Sequence, residues 1–192
     1  MSTPKLIAFS GSSRRGSFNT SLAKAAAEAA SASGASVEFV DLADYSIPLF
    51  NEDLEAESGL PEGVKTLKSK FIAADGFIIA SPEYNSAFSP LMKNTIDWCS
   101  RAESSDEPPL AAYSGKSALL LAASPGALGG LRGLYAMRTL LQNISITVYA
   151  EMLAVRSAHE VFSETGEVKD ERWGGKISKL TSSYVDFAGK LT

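Results

Sequence analysis

Lys5-Leu-Ile-Ala-Phe-Ser-Gly-Ser-Ser-Arg-Arg-Gly-Ser-Phe-Asn19 is the stretch that decides the fold. An apolar run gives way to a loop of glycine, hydroxyls and two arginines, and an alanine-rich segment with helical character follows at 21–33. Strand, donor-rich loop and helix in that order make an anion pocket. Backbone N–H groups at a helix start carry partial positive charge, and hydroxyl and guanidinium groups add charge-assisted hydrogen bonds. Gly11 and Gly16 have the separation of a P-loop, but Ser17 and Phe18 stand where that motif needs Lys and Ser/Thr. The dinucleotide pattern G-x-G-x-x-G fails too, because two serines and two arginines follow Gly11. The loop suits a terminal monophosphate instead. The plainer alternative is a capped helix start, with Ser17 or Asn19 as N-cap.

Outward from this loop, apolar runs at 5–9, 36–41, 76–80 and 117–122 have strand character, and a weaker fifth lies at 146–149, reaching toward 155. The first, third and fourth are nearly continuous, as in strands covered on both faces. Helical patterns fall between them at 21–33, 61–74, 90–101 and 131–144. A last one at 171–191 sets Trp173, Ile177, Leu180, Tyr184, Phe187 and Leu191 on one stripe. Strand–helix alternation of this kind builds right-handed crossovers and a parallel sheet. The expected architecture is α/β: a flavodoxin-like three-layer sandwich with a five-stranded parallel sheet of order 2-1-3-4-5 and helices on both faces. Two stretches are irregular. Residues 42–60 form a long loop with Tyr45, Pro48, Phe50 and several acids, and 104–114, with Pro108 and Pro109, reads as a stiff surface connection.

The chain has 192 residues, which fits a single domain over 1–192. A net charge of −4 supplies no field for nucleic acid or an acidic membrane, so neither is expected as a partner. No apolar run approaches the ~18 residues of a membrane span, and the opening residues show no signal-peptide pattern, so the expected location is cytoplasmic. One cysteine and one histidine leave no intramolecular disulfide and no multi-histidine metal site.

In a doubly wound sheet the loops after the first, third and fourth strands open on one edge. The second of them reads Ala-Ser-Pro-Glu-Tyr-Asn-Ser over 80–86, and the third reads Ala-Ala-Ser-Pro-Gly-Ala-Leu-Gly-Gly over 122–130. Pro82 fixes the backbone direction, and Glu83, Tyr84 and Asn85 supply polar edges and an aromatic face. Gly126, Gly129 and Gly130 let backbone approach a flat ligand, ahead of another helix start. A phosphate at one end and two peptide-rich loops at the other suit a mononucleotide with a large planar head.

On these pieces, together with Lys93-Asn94 and Ile96-Asp97-Trp98, the chain resembles the NADPH-dependent FMN reductases of flavodoxin-like fold, which include chromate and quinone reductases. The matching segments run in the family's order over residues 5 to about 130. The resemblance implies that Arg14, Ser17, Phe18 and Asn19 bind the phosphate and ribityl of FMN, with Ser12, Arg15, Thr20 and Ser21 nearby. It places Pro82, Glu83, Tyr84, Asn85 and Ser86 along the isoalloxazine, largely through backbone groups, and Ser124 and Gly126 at the far edge of the ring. It further implies hydride transfer from NADPH or NADH through bound FMN to a small-molecule electron acceptor such as free flavin, a quinone or chromate. A flavodoxin-type electron carrier is the alternative. Donors near the N1–C2 carbonyl edge of the ring, from the Ser124–Gly130 helix start, would favour the anionic hydroquinone. Where many relatives have Pro-Gly, this chain has Ser89-Pro90, which implies a stiffer mouth to the site.

No catalytic side chain is required by this reading, since the cofactor carries the chemistry. Lys93, Asn94 and Asp97 read as local structure or a subunit contact, with Asp97 near an N-terminal turn. Trp98 and Cys99 read as packing, and His159 as a surface residue. The helix at 131–144 is apolar over a wide arc (Leu131, Leu134, Tyr135, Met137, Leu140, Leu141), which predicts a homodimer or homotetramer.

Overall fold

In the computed structural model, which describes residues 2–192, the first apolar run becomes β1 (Lys5–Ser10), and its side chains alternate between two cores. Ile7 and Phe9 face one, Leu6 and Ala8 the other. The same division runs along β3 (Gly76–Ala80) and β6 (Ser117–Ala123), where every residue is buried. Strands covered on both faces need apolar residues at consecutive positions, hence the continuous runs in the sequence. With the edge strands β2 (Ser36–Val40) and β7 (Thr147–Val155), the sheet is parallel throughout, in the order β2-β1-β3-β6-β7. Leaving aside a separate two-stranded hairpin at residues 83–88, that is the expected 2-1-3-4-5 order.

Helices α1 (Phe18–Ala32) and α7 (Glu171–Ala188) cover one face, and α3 (Glu62–Ala73), α4 (Pro90–Cys99) and α5 (Leu131–Asn143) cover the other. Ala23, Ala26, Ala27 and Ala30 of α1 are buried beside Leu22, and these small side chains let the helix lie close on the sheet. Helix α7 buries Trp173, Ile177, Leu180 and Tyr184 along the expected stripe, but it ends at Ala188 and leaves Leu191 exposed. Gly76 makes room for Tyr184: a Cβ there would sit 2.6 Å from the tyrosine oxygen, which pairs with Ser117 at 3.0 Å.

The long 42–60 connection is more ordered than its sequence suggested. It contains a short 3-10 turn (Leu42–Asp44) and α2 (Glu52–Ser58), whose N-cap Asn51 accepts from the Asp53 N–H. Helix α2 buries none of its residues fully, so it has no apolar stripe to betray it. Helix α4 anchors the connection. Asn94 donates to the Pro48 carbonyl and accepts from the Phe50 N–H, both at 2.8 Å, and Trp98 Nε1 donates to the same carbonyl at 2.8 Å. Asp97 lies in the second half of α4 rather than its N-terminal turn, and pairs with Lys93 one turn earlier. Trp98 and Cys99 are buried as expected, and burial pushes the Cys99 thiol up to about 12.

Residues 104–114 are not merely a surface connection, because they close over a buried cation. Lys68 of α3 is fully buried, and its ammonium meets the Glu107 carboxylate, with Glu103 3.6 Å away. Ala112 and Tyr113 enter the core beside it. Burial alone would raise the Glu107 pKa, but Lys68 and the Glu103 N–H together outweigh it and hold the carboxyl below its ordinary value. Because folding lowers this pKa, the stabilisation is complete above about pH 4.5, the ordinary glutamate value, and is lost as acid protonates the folded carboxylate. Glu107→Gln leaves a buried ammonium without its main partner and should lower unfolding free energy by about 3 kcal/mol in urea titrations at pH 7. Lys68→Met, which removes the buried charge, should cost less, and the Gln variant should lose part of the acid sensitivity of the parent.

Candidate functional site

Loops after β1, β3 and β6 leave the sheet at its carboxyl edge, around the point where strand order reverses. Gly11 begins the first, its N–H donating to the Ala80 carbonyl at 2.9 Å. It is packed tightly: a Cβ would lie 2.9 Å from both Met92 Cε and Ser81 Oγ. Ser12 is buried and accepts from the Arg14 N–H at 3.3 Å, while Thr20 donates to the Ser12 carbonyl. The Arg14 guanidinium folds back over the loop, donating to the Arg15 and Gly16 carbonyls at 3.1 and 3.0 Å and resting 5.9 Å from the Phe18 ring centre. Arg15 is exposed.

Ser17 takes the N-cap position of α1 by its backbone but makes no capping bond through its side chain. Among the described residues, no protein acceptor meets the N–H groups of Gly16, Ser17, Phe18, Asn19 or Thr20. A run of donors at a helix N-terminus, curled by Gly16 in the left-handed region, fits a phosphate. Asn19 is 4 % exposed, and its side chain is engaged: the amide donates to the Ala123 carbonyl and accepts from the Ala123 N–H, both at 2.9 Å. It therefore ties the start of α1 to the third loop. Ser21 lies against Gly166, and with Gly16, Ser17, Phe18 and Thr20 it lines a cleft of about 180 Å³ closed by residues 163–166.

The second loop folds into a hairpin that the sequence did not announce, β4 (Glu83–Tyr84) against β5 (Ala87–Phe88). Its two connecting residues, Asn85 and Ser86, have φ of 53° and 69°, the doubly left-handed geometry of a tight hairpin turn, here without glycine. Pro82 is buried at the base, while Tyr84 is half exposed. Ser89, just beyond β5, caps α4 by accepting from the Met92 N–H at 3.1 Å, and its hydroxyl donates to the Gly11 carbonyl at 2.5 Å. Ser89 thus stitches the hairpin to the first loop.

Ser124 accepts from the Gly126 N–H at 3.1 Å in the third loop. Gly129 and Gly130 both have positive φ, and a Cβ on Gly129 would strike the backbone of residues 154–156. Glu83, Asn85, Ser124 and Gly126 come together around a cleft of about 420 Å³, with Ala127, Leu128, Gly129, Gly130 and Arg132. The Glu83 side chain turns toward α5: it accepts from Arg132 Nε at 2.7 Å and from the Gly133 N–H at 3.1 Å. Burial would raise its pKa, but those donors prevail and the carboxyl titrates below its ordinary value. Arg132 and Gly133 were not singled out in the sequence; their partner is distant in the chain, and no local pattern links them.

The cleft around residues 124–132 has glycine-lined backbone and a polar rim, and the first loop has open donors, a pairing that fits a ligand with a flat head and a phosphate. Among the described residues, no group of three His, Cys, Asp or Glu could hold a metal, and no helix is long and apolar enough to cross a membrane.

Comparison with known proteins agrees. The sequence model of the family described as NADPH-dependent FMN reductase matches residues 4–160. An NAD(P)H-dependent FMN reductase of Pseudomonas aeruginosa is 36 % identical over 88 % of this chain and 86 % of its own. A quinone reductase of Escherichia coli strain K12 is 34 % identical over 95 % and 93 %. Among solved structures, the flavoenzyme NAD(P)H:(acceptor) oxidoreductase of Paracoccus denitrificans overlays with a TM-score of 0.82 at 25 % identity, covering 98 % of each chain. With a family match over residues 4–160 and relatives aligned over most of its length, the chain belongs to the NADPH-dependent FMN reductase family and is an FMN-dependent NAD(P)H oxidoreductase.

Proposed function

We propose that the loop from Gly11 to Asn19 holds the FMN phosphate, that the β4–β5 hairpin and residues 124–130 flank the isoalloxazine, and that the electrons leave to a quinone or a similar small oxidant. The observation that carries this reading is the set of open N–H groups at residues 16–20, at one end of an edge whose other end is the 420 Å³ cleft. Bound FMN supplies two-electron chemistry, taking hydride from NAD(P)H and returning electrons to the acceptor.

The chain's own task is to hold and expose. Arg14 braces the phosphate loop through two carbonyls and adds positive charge beside it. Asn19 acts through Ala123, keeping the phosphate-side and ring-side loops at a fixed spacing, rather than as a direct ligand through its amide. Backbone of the hairpin and of the glycine-rich third loop would lie along the ring, and the half-exposed Tyr84 and Leu128 leave apolar surface on those two loops for nicotinamide and acceptor. No side-chain acid or base is needed for hydride transfer, and Cys99, buried with its thiol pKa near 12, is no nucleophile. The quinone reductase name of the Escherichia coli relative supports a quinone as acceptor. Helix α5 buries Leu134, Met137 and Leu141 within the chain but leaves Tyr135 exposed, which supports a homodimer or homotetramer meeting there.

Arg14→Ala should weaken FMN binding by about 1–3 kcal/mol, read as flavin fluorescence quenching during titration of the apoprotein, and unchanged affinity would remove Arg14 from the site. Anaerobic mixing of the FMN-loaded protein with NADPH should bleach the flavin absorbance within the dead time or shortly after, and the colour should return on adding a quinone. Absent bleaching with both NADPH and NADH would point to a carrier.

A further inference from the structure

Helix α5 begins badly capped. Its N-cap is Gly130, held in the left-handed region, and no side chain of its own meets the first-turn N–H groups. The missing acceptor comes from elsewhere. Glu83 accepts from the Gly133 N–H at 3.1 Å and from Arg132 at 2.7 Å through Nε, with Nη2 at 2.5 Å. Its side chain is 8 % exposed, whereas that of Arg132 is 59 % exposed at the cleft. Glycine at 133 is what allows this approach: a Cβ there would lie 3.2 Å from Glu83 Cβ and 3.2 Å from the Ala87 carbonyl. One carboxylate therefore answers two positive features at the ring-side cleft, a guanidinium and a helix N-terminus equivalent to roughly half a unit charge. At the start of α5 the Gly133 N–H is therefore occupied by Glu83.

We infer that Glu83 is a positioning residue that sets the reduction potential of the bound flavin, by neutralising Arg132 and the N-terminus of α5 at the edge of the ring-side cleft. The inference rests on the assignment of that cleft to the isoalloxazine. Hydride adds two electrons and one proton to the ring, so the reduced ring carries one more negative charge than the oxidised one. Uncompensated positive charge beside it favours the reduced form, and uncompensated negative charge favours the oxidised form. Glu83 as it stands keeps the potential low, and a low potential lets the flavin pass its electrons on to a weaker oxidant.

Opposite signs are what separate this role from a merely structural latch. Glu83→Gln keeps the size and part of the hydrogen bonding but leaves Arg132 and α5 unanswered. Its ratio of dissociation constants, oxidised over reduced FMN, should rise about tenfold, the effect of one charge across a cleft at an effective dielectric of about 20. For a two-electron couple that equals a positive shift of about 30 mV. Arg132→Gln should move the ratio the other way by a similar factor, and the double variant should return near the parent. The readout is a spectroscopic redox titration of FMN-loaded protein against a reference dye, with apoprotein unfolding curves to confirm that each variant folds. Single variants that shift in the same direction, or a parent and variants with one common potential, would overturn the inference while leaving FMN binding intact. Should Glu83→Gln not fold, the downward shift of Arg132→Gln, whose side chain is mostly exposed, still decides it. A parent that takes up no FMN would overturn the assignment of the cleft, and with it the inference.

Discussion

The paired hydrogen bonds between the Asn19 side chain and the Ala123 backbone are the constraint on which the site depends. A parallel sheet fixes its strands by ladder bonds, but the loops that leave its carboxyl edge have no ladder between them. Asn19 substitutes for one. It is buried, it meets both the backbone donor and the backbone acceptor of a single residue, Ala123, and it stands where α1 begins and β6 ends. Two other cross-links repeat the device, Ser89 to the Gly11 carbonyl and Glu83 to Arg132 and Gly133. Each joins a loop to the element that follows a different strand. With the three in place, the open N–H groups at residues 16–20 and the cleft around residues 124–132 keep a set spacing, so binding does not have to order them first.

Much of the fold was legible because burial on both faces leaves a strong imprint. Residues 76–80 are continuously apolar, preceded by Asp75 and followed by Ser81-Pro82, and the strand has those bounds. The stripe from Trp173 to Tyr184 likewise reports the face that α7 lays on the sheet. Elements that bury little were illegible. Helix α2 is held by its Asn51 cap, the Arg101–Glu55 pair and the partly buried Leu54 alone rather than by a full apolar stripe, and the β4–β5 hairpin has two-residue strands and a turn of Asn85-Ser86 in place of the Asn-Gly that would mark it. The site divides in the same way. Its loops could be located from glycines, hydroxyls and the strand–loop–helix order, whereas which side chains hold the loops and which face the ligand could not. Lys68 with Glu107, Glu83 with Arg132 and Asn19 with Ala123 are each pairs made by the fold between residues far apart in the chain, and one sequence holds no record of such meetings.

Helix α5 and its neighbours also show why glycine recurs at this edge. At Gly129 and Gly130 the backbone is left-handed and a Cβ would also strike residues 154–156 or Ala122, whereas at Gly133 the helix is ordinary and a methyl group would be tight against Glu83 and the Ala87 carbonyl. The first two serve conformation and proximity together, and the third serves proximity alone.

At the outer edge of the sheet, the pairing of β7 with β6 slips: Ala118 faces Val148, but Leu120 faces Met152, so β7 spends two extra residues there. Arg138 of α5 donates to the carbonyls of Tyr149 and Ala150 within that bulge, at 2.7 and 2.9 Å. A border strand with a kink in its middle and two of its acceptors already taken is a poor template for a foreign strand. The molecule can therefore carry a nine-residue open border without inviting fibrils, and any lasting contact between copies is steered toward helices and loops.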